Sequence, residues 1–162
     1  MKHWLLSVLL MVCSTVSAQI TLVKDGKSNA RIIVQDKMPN SKTSAELLQH
    51  FLYHISKSRL PIEYDKTSRK GDILIGGQTP QTVTEDGFSI STQNGILRIS
   101  GKEKGVVYGV DYWGENEYSF TPQKTVTLPL INKVENPAFR YRQTQCYAIR
   151  TDSIYKWWNR LE

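Results

Sequence analysis

Two apolar stripes at helical spacing, separated by short β-prone runs, give the chain its plan. In the first stripe Leu48, Phe51, Leu52 and Ile55 fall at i, i+3, i+4 and i+7, with Ala45 and Leu47 at its flanks. That spacing predicts an amphipathic helix starting at Thr43 or Ser44, with Ser44 as its cap. It should end near residues 57–59, where Lys57 and Arg59 suit the negative end of a helix. The second stripe lies in GVVYGVDYW, where Val106, Val110 and Trp113 fall at i, i+4 and i+7. Gly105 and Gly109 share a neighbouring line at four-residue spacing. A short helix follows a break at Gly101, and its glycines predict close approach to a sheet.

The β-prone runs surround these helices. Residues 20–23 precede the turn signal Asp25-Gly26, and Ile32, Ile33 and Val34 are too continuous for a half-exposed edge. Residues 39–41 punctuate the chain, 60–62 lead into an extended piece, and 72–75 read as a buried strand stopped by Gly76-Gly77. Residues 65–71 and 78–84 are loops. Residues 88–91 and 96–99 alternate on either side of Asn94-Gly95, the clearest hairpin in the chain. A last run, 125–128, is closed by Pro129. The order β-β-α-β-β-β-β-α-β predicts an α+β fold over residues 19–129, a two-layer α/β sandwich with one mixed sheet and both helices on one face. Residues 130–138, LINKVENPA, read as a linker. Residues 139–147 alternate as a strand, and Ile154, Trp157, Trp158 and Leu161 form one more helical stripe after Thr151 or Asp152. This β-α arm has no partner left in the sequence. It either opens a further unit that is cut off here, which is the expectation, or packs back on the sandwich.

Residues 1–18 have the layout of a secretory signal peptide: a basic start at Lys2-His3, an apolar run over 4–12 and small residues at Val16-Ser17-Ala18. The apolar run is too short to span a bilayer, and Val12 before Cys13 argues against a lipid anchor. Cleavage before Gln19 would leave Cys146 alone, so no internal disulfide is expected, and the mature protein should lie in the periplasm or outside the cell without a membrane contact. The net charge of +6 is spread along the chain, with no run longer than Arg69-Lys70, which argues against nucleic acid as a partner.

Three sets of residues invite chemistry, and each has a plainer reading. Glu46, His50 and His54 at i, i+4 and i+8 resemble a metal face, but they lie opposite the Leu48/Ile55 stripe and fit a solvated surface better. Gly101, Gly105 and Gly109 lack the spacing of a phosphate loop and the Lys-Ser/Thr pair that follows one, so packing is the better account. Asp111, Glu115 and Glu117 could supply paired glycosidase carboxylates, but on a helix Asp111 and Glu115 are neighbours on an outer face and read as solvated acids. No cofactor is expected.

With these motifs placed, the chain resembles the small α/β domain that precedes the catalytic barrel in β-N-acetylhexosaminidases of glycoside hydrolase family 20 and in α-glucuronidases. The resemblance rests on AELLQHFLYHISKSRLPI, DILIGG, EDGFSISTQNGILRISG, GVVYGVDYW, FTP and ENPAFRYR, in that order and spacing. It implies a domain without catalytic residues, packed beside a (β/α)8 barrel whose first strand would be FRYRQTQCYAIR. It also implies a site residue. Hexosaminidases often carry R-G-x-x-x-D-x-x-R on that strand, the first Arg binding sugar hydroxyls, and Arg142 and Arg150 match the two arginines. Gln143 and Tyr147 stand where the family has Gly and Asp, so Arg142 is either a substrate-binding residue or part of a rim salt bridge.

The function implied is therefore that of a non-catalytic domain of an exported glycoside-hydrolase-like protein, its partner the downstream barrel of the same protein. The rival expectation is a stand-alone secreted module that binds carbohydrate or a protein through exposed aromatics, Tyr112 and Trp113.

Overall fold

The computed structural model describes residues 19–116, 122–128 and 130–138. The leader, the arm at 139–162 and Arg142 lie outside the described residues. The elements run β1 (Ile20–Lys24), β2 (Lys27–Ser28), β3 (Ile32–Val34), α1 (Pro39–Ser56), β4 (Ile62–Tyr64), β5 (Ile73–Ile75), β6 (Phe88–Gln93), β7 (Ile96–Gly101), α2 (Gly105–Asn116), β8 (Val126–Leu128) and β9 (Asn132–Glu135).

This is an α+β fold with a six-stranded mixed sheet ordered β4-β3-β5-β7-β6-β9. β4, β3, β5 and β7 are parallel neighbours, β6 is antiparallel to β7, and β9 is antiparallel to β6. The strand expected at 20–23 does not join it. β1 pairs instead with β2 and β8 in a separate three-stranded antiparallel sheet, with Ile20 opposite Leu128. Alternation along a strand explains the core. Ile32 and Val34, Ile73 and Ile75, and Leu97 and Ile99 face the helices, where they meet Ala45, Leu48, Leu52, Ile55, Val106, Val110 and Trp113. Both helices therefore cover one face, and the small sheet adds Leu22, Val23, Val126 and Leu128 to the same cluster. Ile33 and Leu74 point to the opposite face and are buried as well, which is why the central parallel strands are apolar throughout. Beside them Asp72 is buried but fully engaged. Its carboxylate accepts from Arg31 Nε (3.1 Å), Arg31 Nη2 (2.6 Å) and the Arg69 backbone N–H (2.8 Å).

α1 starts at Pro39, several residues before the expected Thr43 or Ser44. Proline costs a helix nothing in its first turn, where its missing N–H would have had no partner. The 39–41 segment, expected to interrupt the chain, is thus the first turn of the helix. Asp36 holds that end, accepting from the N–H of Met38 (3.0 Å) and of Gly77 (2.7 Å). Ser44, expected as the cap, lies inside the helix and donates to the Asn40 carbonyl (2.7 Å). At the other end Lys57 turns left-handed, φ 58°, and its N–H bonds Tyr53 O (2.8 Å), in agreement with the expected stop.

The hairpin at 88–101 forms as predicted. Asn94 (φ 54°) and Gly95 (φ 73°) supply the two positive φ values of a tight two-residue turn. The supposed linker does not hold: it carries β9, which runs along β6 with Phe88 opposite Glu135 and Ser91 opposite Asn132. Asn136 then ties the strand's end to the 78–87 loop, donating to Thr82 O (3.0 Å) and accepting from the Thr84 N–H (2.9 Å).

Candidate functional site

α2 seats on the β6–β7 hairpin through its glycines. A Cβ on Gly105 would run into the carbonyl oxygen of Gly87, and one on Gly109 would sit 3.0 Å from Ile99 Cγ2 and 3.2 Å from Phe88 Cβ. These residues provide room for close packing. The helix N-terminus is also occupied from within, since the carboxylate of Asp86 accepts from the Lys104 N–H (3.3 Å). That carboxylate takes one of the donors a phosphate would use.

The structure separates the other candidates. Trp113, expected in the rival reading to be an exposed binding aromatic, is 1% exposed and belongs to the core. Its position on the Val106/Val110 stripe decides its environment. Tyr112 lies at the margin of that stripe, its ring 5.6 Å from that of Phe88, with Lys133 Nζ 4.3 Å from its centroid. Of the acidic trio, only the side chain of Asp111 is described, and it is half-buried. Glu46, His50 and His54 are exposed on α1, as read from the sequence. The two histidine rings lie 4.3 Å apart at 69°. Among the described residues no three His, Cys, Asp or Glu side chains converge.

Two concavities flank the helix layer. The smaller, about 310 Å³, is lined by Asp86, Phe88, Tyr108 and Tyr112 on one side and by Lys133 and Glu135 of β9 on the other. Sequence reasoning missed it because the linker reading removed its second wall. The signal was Lys133-Val134-Glu135, a charged, β-branched run of the kind that edge strands use to resist pairing with other chains. The larger, about 1140 Å³, is an open groove between α1 and the 59–62 segment, lined by Glu46, Gln49, His50, Tyr53, Arg59 and Leu60 among others. Gln49 braces its floor, donating to Leu60 O (2.6 Å) and accepting from Arg59 Nε (2.9 Å).

Lys133 is the charged centre of the smaller crevice. The Tyr112 side chain first, and then Glu135 at 3.1 Å, hold its pKa above the ordinary lysine value of 10.5. Folding thus raises this pKa, so the contribution is complete below the unfolded value and disappears as pH rises through the folded one. The thermal midpoints of wild type and Lys133→Met should differ by a small, constant amount from about pH 6 to 9 and converge in stronger alkali. A gap that persists unchanged however far the pH is raised above the ordinary lysine value would contradict this assignment.

By sequence, the chain matches no family model and no curated protein. By fold it has clear neighbours. Streptomyces plicatus N-acetyl-β-hexosaminidase aligns with a TM-score of 0.58 over 78% of this chain and 25% of its own, at 13% identity. The family 20 β-N-acetylhexosaminidase of Streptomyces coelicolor aligns at 0.56 over the same shares, at 15% identity. The fold is one found in glycoside hydrolases. A family 115 4-O-methyl-α-glucuronidase shares it too, with a TM-score of 0.51 over 75% of this chain and 19% of that enzyme, at 15% identity. The chain spans a quarter or less of these enzymes' length.

Proposed function

We propose that the chain is the non-catalytic N-terminal α/β domain of an exported glycoside-hydrolase-like protein, and that it buttresses a downstream (β/α)8 barrel. One observation carries the reading: the fold aligns over most of this chain but over only 25% of the hexosaminidase chains. On this view the remainder of such a protein holds the reacting carboxylates. The local chemistry is consistent, because Gly105 and Gly109, Tyr112 and the carboxylate of Asp86 are engaged in holding α2 to its sheet. The rival reading of a stand-alone glycan-binding module loses Trp113, which is buried.

The purified chain is expected to release no nitrophenol from a panel of aryl glycosides, while the product of the full gene hydrolyses at least one of them. Turnover by the chain alone, abolished by Asp111→Asn, would refute the proposal. So would a native stop codon after residue 162 with no barrel-coding sequence beside it.

A further inference from the structure

We propose that His50 and His54 form a two-imidazole chelate for a borderline first-row transition-metal ion (Cu²⁺, Ni²⁺ or Zn²⁺) on the outer side of α1. The pair is one helical turn apart, near the middle of the C-terminal half of an 18-residue helix. Positions i and i+4 lie one above the other on the same face. The rings are already in contact, their centroids 4.3 Å apart and their planes at 69°. Two nitrogens bound side by side at about 2.0–2.1 Å from one ion are themselves about 3 Å apart. Rings whose centroids are 4.3 Å apart have edge atoms within reach of that separation. The backbone that carries them is fixed from behind, because Ala45, Leu48, Leu52 and Ile55 on the inner face are buried in the core. Both imidazoles are exposed, so an ion can bind without opening the fold and retain water at its other positions.

The ligand chemistry sets the class of ion. Imidazole nitrogen favours Cu²⁺, Ni²⁺ and Zn²⁺, whereas Mg²⁺ and Ca²⁺ prefer oxygen. Glu46, a further turn away, is paired with Lys42 at 4.0 Å and is not needed as a ligand.

The sequence contains three histidines, His3, His50 and His54, which makes the test clean. Untagged chain beginning at Gln19 is titrated with NiCl₂ and CuCl₂ by calorimetry, with MgCl₂ as control, and its thermal midpoint is followed in parallel. Saturable binding of one ion is expected, together with a higher midpoint that EDTA reverses and no response to Mg²⁺. His50→Ala and His54→Ala should each weaken binding by about tenfold or more while circular dichroism stays unchanged. No saturable binding by folded wild type would overturn the proposal. So would binding that survives both histidine variants, including binding removed by Cys146→Ser instead.

Discussion

Trp113→Ala should cost about 3–5 kcal/mol of folding stability, the range for deleting a buried large aromatic side chain. The indole is 1% exposed and belongs to the core cluster that the helices form with the sheet. The next residue shows how tight that seam is, since a Cβ on Gly114 would lie 2.8 Å from the Phe51 ring. Neighbours so close-packed cannot collapse fully into the vacated space, so a cavity adds to the lost transfer energy. Domains are typically stable by about 5–15 kcal/mol, and a loss of this size removes much of the margin. Urea unfolding should show a lower midpoint at nearly constant slope. A loss below about 1 kcal/mol would place Trp113 outside the core. The same variant is a poor probe of glycan binding, because its first effect is on folding.

Gly105→Ala is the second large expectation, and here two effects oppose each other. Alanine gains up to about 1 kcal/mol over glycine in a helix. Its methyl, however, would enter the carbonyl of Gly87, a backbone atom that also accepts the Lys102 N–H at 3.2 Å. Backbone cannot rotate aside as a side chain can, so the clash should win, leaving a net loss of about 1–3 kcal/mol. At Gly109 the closest atoms belong to the side chains of Ile99 and Phe88, at 3.0 and 3.2 Å. The cost of Gly109→Ala should be smaller, and the order of the two thermal midpoints is the test. A Gly105→Ala protein as stable as wild type would remove the close approach from the account.

Much of this fold was legible in the pattern of side chains. The Leu48/Leu52/Ile55 and Val106/Val110/Trp113 stripes are buried as their spacing required, and Asn94-Gly95 makes the turn it announces. The failures have physical causes. Pro39 looked like a break because a proline inside a helix is one, yet at the first position it is favourable. Residues 130–138 looked like a linker because an edge strand can be charged on the face it shows to solvent, and only the tertiary register with β6 identifies it. The separate β1–β8 sheet was hidden for a related reason, since pairing partners distant in sequence leave no local mark. The two walls of the Lys133 crevice belong to α2 and β9, so the crevice could not be read until β9 was recognised.

That distant pairing has a consequence for the order of folding. Ile20, near the start of the described chain, bonds its strand to Leu128 near the other end, while β3 to α2 lie between them. A ribosome delivers β1 first and its main partner, β8, only after both helices have emerged. Contacts so far apart in the chain are slow to form. The small sheet should therefore close last, drawing the two ends together around a helix layer that has already assembled.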